Sequence, residues 1–275
     1  MQLAYVAFTA AMLAAAALCL RDAWGDRADV ALFATALVYG VLLEKATIIA
    51  FEAYTYPAEN YLVAPLDIPI AIGLGWAAVI YAGVATARSL GVPRVSFPGF
   101  VALYALHVDL AMDAVAIRVP YWVWTPPGPW FGVPYGNFFG WFCVALLLPA
   151  WFLGLERWLP RPEIRAPTAL VLSLATLIPL LEGWVRFTAD APTLKLAVLV
   201  GAGAVAAALC LVRPPTLDGT APTAAFGATL IFHLFFLGLV LVEGYYEAQP
   251  ALIALSLSML LIGVTVHRLP KIVRS

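Results

Sequence analysis

Nine apolar runs, each close to the length that crosses a bilayer, leave this chain few ways to fold. They lie at roughly 3–20, 29–52, 62–87, 98–119, 137–155, 167–187, 193–212, 222–243 and 249–267. A membrane-crossing helix needs about 20 mostly apolar residues. The runs are separated by breakers: Gly25-Asp26, Gly91-Val92-Pro93, Pro160 and Pro162, Pro214-Pro215 and Pro250. The expected fold class is therefore all-α, a polytopic transmembrane helix bundle of about nine spans, with residues 1–275 forming a single integral membrane domain. No gap between runs is long enough for a soluble domain. Composition agrees: 64% of the residues are hydrophobic and 11% charged, against about 25% charged in soluble domains.

The lysines and arginines orient the bundle. Eleven follow the odd-numbered runs (Arg21, Arg27, Arg88, Arg94, Arg157, Arg161, Arg165, Arg213, Arg268, Lys271 and Arg274), and only Arg118, Arg186 and Lys195 follow the even ones. Positive loops stay cytoplasmic. The N-terminus is thus expected outside and the C-terminus in the cytoplasm of a multi-pass cell-membrane protein. The first apolar run has no basic segment before it and is nearly membrane length, so it is expected as a retained span rather than a signal peptide. Net charge is −1, which points to no nucleic-acid partner. Cys19, Cys143 and Cys210 have neither metal nor disulfide spacing and read as small buried hydrophobes. His107, His233 and His267 form no metal motif, and His233, alone in an apolar run, reads as a hydrogen-bonded core residue.

With this orientation, three connections share the non-cytoplasmic side: FEAYTYPAENY from Phe51, PYWVWTPPGPWFGVPYG from Pro120, and GYYEAQ from Gly244. Tryptophan and tyrosine at this depth can form a headgroup belt. The opposite edge has Trp24 and Trp158 as its clear counterparts, so the belt would be lopsided.

Carboxylates inside the runs are the second anomaly. Glu44, Glu52, Asp67, Asp109 and Asp113 fall within spans two to four. A carboxylate in hydrocarbon is expensive and is a functional-site hypothesis by default. Lys45 is the one lysine at that depth and suits a structural ion pair with one of them. Glu182 and Arg186, four apart, are expected to pair with each other. Asp109 and Asp113 lie one turn apart on one helix face. Two like charges so placed cannot both stay ionised cheaply, which suits one as general acid and its neighbour as general base. The same spacing also suits two aspartates that cap or bridge spans. Asn137 suits either a cap on the fifth span or the positioning of a water.

Two patches carry a family resemblance. Asp109, Asp113, Tyr121-Trp122-Val123-Trp124, Pro127-Gly128, Gly132-Val133-Pro134, Asn137 and Gly140-Trp141 form the first. Glu44, Phe51-Glu52-Ala53-Tyr54-Thr55-Tyr56, Ala64-Pro65-Leu66-Asp67-Ile68-Pro69 and Trp76 form the second. Together they resemble the membrane carotenoid hydratases, which include bisanhydrobacterioruberin and gamma-carotene hydratases. The chain departs from that pattern at Ala114 (usually proline), Trp130-Phe131 (usually a tyrosine pair) and Glu52 (commonly glycine).

The resemblance implies hydration of the terminal C1–C2 double bond of a linear carotenoid or related isoprenoid, with no cofactor beyond water. It implies Asp109, Asp113, Glu44 and Glu52 as catalytic residues. Tyr54, Tyr56, Trp76, Tyr121, Trp122, Trp124, Trp130, Asn137 and Trp141 would bind substrate. The implied partners are the isoprenoid, the lipid bilayer and other membrane enzymes of the carotenoid pathway. An end-group cyclase or isomerase would share the protonation step. A non-catalytic isoprenoid-binding protein would share the aromatic pocket.

Overall fold

The computed structural model describes residues 2–189, 191–217, 219 and 222–274, with side chains from Leu3 to Arg268. The long helices are α1 (Gln2–Ala23), α2 (Arg27–Phe51), α3 (Ile70–Ser89), α4 (Phe97–Ala116), α5 (Tyr135–Gly154), α6 (Pro162–Thr188), α7 (Pro192–Val212), α8 (Thr223–Val242) and α10 (Ala251–Arg274); α9 (Tyr245–Ala248) is a single turn. Among the described residues, nine helices are long and apolar enough to cross a membrane. The chain is an all-α bundle and a multi-pass membrane protein. Lys271 and Arg274, two of the eleven orienting charges, lie outside the described side chains.

The third span is the main correction to the expected boundaries. It begins at Ile70 rather than 62, because Pro65 and Pro69 confine the preceding chain to short turns at Ala58–Asn60 and Pro65–Asp67. α4 ends at Ala116, three residues early, and α6 starts at Pro162, five residues early, with proline in its first turn where no N–H is missed. The connections on the aromatic side are therefore longer than the hydropathy suggests.

α3 and α4 form the centre of the bundle. Most of α3 is buried, packed between α2, α1 and α8, while α4 contacts α5, α8, α10 and α7. The α2–α3 contact depends on Gly40, where an added Cβ would lie 2.7 Å from that of Trp76. The bare backbone lets the Trp76 side chain approach α2 closely, one turn before Glu44. α2 ends at Glu52, whose φ of 50° is left-handed. A glycine adopts this geometry without steric cost, which accounts for the glycine common at this position in the resembled pattern.

Short backbone and side-chain ties fix the loops. Tyr54–Thr55 (β1) pairs antiparallel with Val123–Trp124 (β2), in register Tyr54↔Trp124 and Thr55↔Val123. Thr125 N–H donates to the Ala53 carbonyl at 2.9 Å. Tyr5 donates to Pro120 O and Tyr121 to Ala4 O, each at 2.9 Å, which locks the start of α1 to the second loop.

A carboxylate cavity under an aromatic lid

Strand periodicity organises the lid. Side chains two apart share a face, so Tyr54 and Tyr56 both point inward while Thr55 faces out. Trp122 and Trp124 do the same around the exposed Val123. Tyr54 packs on Trp124 with ring centroids 4.7 Å apart, and Tyr56 on Trp122 at 6.2 Å. Beneath these four rings lies a cavity of about 190 Å³. Its walls come from α1, α2, α3, α4, α5, α6 and α8 as well as the two loops.

Glu44 is the most heavily bonded acid. Its Oε1 accepts from Trp76 Nε1 at 2.8 Å; its Oε2 accepts from Tyr56 at 2.9 Å and also from Tyr54. Three donors and no competing acceptor suit a carboxylate. Burial first, and the neighbouring Glu44 second, push the Tyr54 and Tyr56 phenols well above the ordinary tyrosine range. Both hydroxyls therefore keep their protons and remain donors. Thr47, one turn beyond Glu44, lies 2.7 Å from the Tyr54 hydroxyl.

The two aspartates are fully buried and differently placed. Asp109 stands behind the cavity wall and accepts from Asn137 Nδ2 at 3.0 and 3.3 Å. Asp113 lines the cavity, with Asp109, Trp122 and Trp124 as its polar neighbours. Its Oδ2 and the Trp124 indole N–H have no hydrogen-bond partner among the described residues. Glu44 and Asp113 share the cavity with Asp109 behind Asp113, yet no Lys, Arg or His lines the cavity among the described residues. Two unit charges about 4 Å apart repel by ~4 kcal/mol at an effective dielectric of about 20. Like charges held close together with no basic side chain among them are costly.

The structure thus gathers Glu44, Asp113, Tyr54, Tyr56, Trp76, Trp122, Trp124, Asn137 and Trp141 around the cavity, with Asp109 immediately behind. Asn137 lies inside the first turn of α5 and bonds Asp109 rather than capping the helix. Three expected site residues lie elsewhere. Glu52 is turned out to solvent by the left-handed end of α2. Tyr121 is buried under Phe8, their rings stacked 4.5 Å apart, and ties the loop to α1. Trp130 donates to the Leu110 carbonyl at 3.1 Å and packs against Phe138, outside the cavity.

Lys45 pairs with exposed Asp67 at 3.1 Å, away from the cavity acids, and Glu182 pairs with Arg186. The three histidines gather between α4, α8 and α10, with the rings of His107 and His233 5.1 Å apart. His233 is buried, but its Nε2 has no partner among the described residues, contrary to the expected hydrogen bond. No group of three or more ligating side chains among the described residues could hold a metal.

Several lining residues escaped the sequence reading. Thr47 sits three residues after Glu44 and Met112 beside Asp113, both on faces the acids already mark. Trp184 is an aromatic at the same end of α6. Phe8, Met12 and Phe232 carry no signal beyond apolarity.

A family model described as carotenoid biosynthesis protein matches residues 1–207. The chain belongs to that family. The match spans every helix that contributes a carboxyl group to the cavity and gives the protein a role in carotenoid biosynthesis. It ends within α7, so α8 and α10 lie beyond it. No curated protein and no solved structure matches the chain.

Proposed function

We propose that the protein is a hydro-lyase that adds water across the terminal C1–C2 double bond of a linear carotenoid or related isoprenoid. The observation that carries this reading is the unpartnered Asp113 Oδ2 in an aromatic cavity that also holds the three-donor Glu44. Asp113 acts as the general acid and delivers its proton to C2, leaving a tertiary cation at C1. The indoles of Trp122, Trp124, Trp76 and Trp141 and the Glu44 carboxylate stabilise that cation without a covalent bond. Water forms the new C–O bond at C1. The proton it loses returns to the Asp109–Asp113 pair, which ends as it began. Asn137 holds Asp109 in place and is a positioning residue.

The cavity volume limits what enters. Pockets that enclose a whole drug-sized ligand run to about 300–1,000 Å³, so 190 Å³ receives a chain end and not a long polyene. The remainder would lie in the bilayer, reached past Val185, which is exposed on α6 and also lines the cavity. We place the aromatic lid on the non-cytoplasmic side of the cell membrane.

Co-expression with linear carotenoid precursors, followed by mass spectrometry of extracted pigment, tests the reading. The expected product is heavier than its precursor by one water and carries a tertiary alcohol at the chain end. A product isomeric with its precursor would instead mean a cyclase or isomerase. No change with any linear precursor would mean a non-catalytic binding protein.

A further inference from the structure

At the end of the bundle remote from the aromatic lid lies a second, polar cavity of about 370 Å³. We propose that it binds a phosphate group, as borne by the headgroup of an anionic phospholipid. Three arginines face it: Arg88 from the last turn of α3, Arg94 from the α3–α4 connection, and Arg165 from the opening of α6. The first turns of α2 and α4 also line it. Helix N-termini favour anions, and α4 and α6 have no side-chain cap to occupy theirs.

Arg165 is the decisive residue. It is only 4% exposed, stacks over Phe152, and its Nε has no partner among the described residues. A buried guanidinium with an idle donor is costly unless something accepts from it.

The carboxylates of the cavity do not meet that need. Asp29 is taken by Arg88. Asp26 accepts from the Ala28 and Asp29 N–H groups as the cap of α2. Glu156 alone serves two arginines, at 3.2 Å from Arg94 and 3.5 Å from Arg165. One guanidinium therefore shares its counter-ion. A phosphate, with several acceptor oxygens, can complete Arg165 and Arg94 together. Arg94 is largely exposed, so the cavity is open to a headgroup at the membrane surface. The three arginines are matched in number by Asp26, Asp29 and Glu156, so the case for a phosphate rests on the idle Arg165 donor and not on net charge.

The test is thermal unfolding of the full chain in a neutral maltoside detergent, read by tryptophan fluorescence. The additives are dioleoyl-phosphatidylglycerol, dioleoyl-phosphatidylcholine, or sodium pyrophosphate at matched ionic strength. A ligand that binds only the folded state raises the transition temperature. Phosphatidylglycerol should raise it by several degrees over phosphatidylcholine. A shift with phosphatidylglycerol alone identifies a lipid headgroup, and an equal shift with pyrophosphate identifies a soluble phosphate. Arg165→Gln should abolish the shift and Arg94→Gln should lose most of it, while Arg157→Gln, outside the cavity on the same edge, should keep it. Should Arg165→Gln fail to fold, Arg94→Gln, at an exposed position, decides. No shift with either phosphate, or a shift unchanged in Arg94→Gln, overturns the proposal.

Discussion

Asp113 and Glu44 face the same cavity with opposite hydrogen-bond environments, and this contrast is the basis of the separate roles proposed for them. Asp113→Asn removes the proposed proton donor and is expected to lower turnover by about 10²–10⁴-fold, with insertion and folding intact. Near-normal turnover in that variant would return Asp113 to a structural role. Glu44→Gln replaces a carboxylate that accepts from three donors with an amide that has one acceptor oxygen. At least one of Trp76, Tyr54 and Tyr56 loses its partner, so a stability loss of about 1.5–3 kcal/mol should accompany the loss of turnover. Thermal unfolding beside product assay separates the two effects. The i, i+4 spacing of Asp109 and Asp113 was legible in the sequence because helical geometry puts them on one face. Which of them reaches the cavity was not legible, because that depends on Asn137, which comes from the next helix and occupies Asp109.

The ends of the helices decide which carboxylates reach the cavity. Glu44 sits two turns before the end of α2 and points inward; Glu52 occupies the left-handed residue that terminates the helix and points out. Apolar periodicity cannot distinguish these positions, since both fall within one hydropathic run. The prolines at 65 and 69 could have placed the start of α3 correctly, but Leu62 and Val63 extend the apolar run past them. A left-handed non-glycine residue carries about 1–2 kcal/mol of steric cost, part of which glycine relieves. Glu52→Gly is therefore expected to leave turnover unchanged and to be neutral or stabilising by up to about 1 kcal/mol. Loss of turnover in a folded Glu52→Gly protein would bring this residue back into the chemistry.

Across the whole molecule, the nine-span architecture was the most legible property, because hydrocarbon thickness fixes the length of every run. The inter-helix arrangement was less so: nothing in the pattern announces that α8 brings Phe232 to the cavity or that three scattered histidines meet. Orientation rests on the eleven-to-three distribution of basic residues. In a background without native cysteines, Pro127→Cys in the aromatic lid and Arg161→Cys at the opposite edge should label from opposite sides of the membrane. Both positions are exposed; Gly128 is unsuitable, since a Cβ there would lie 2.2 Å from Pro134. Labelling of both from one side would remove the proposed orientation.

The two-residue pairing of Tyr54–Thr55 with Val123–Trp124 also has a consequence for biogenesis. Its halves are made far apart in time, with two complete membrane helices synthesised between them. Until the segment after α4 has been made, Tyr54 has no opposing tryptophan and the first turn of α1 has no acceptor at Pro120. A nascent chain arrested before Trp124 would thus hold Glu44 and its two tyrosines without half of the lid. The lid over the cavity is complete only after the fourth helix is in place, and the walls from α5, α6 and α8 follow later still, so a partly made protein has no enclosed cavity.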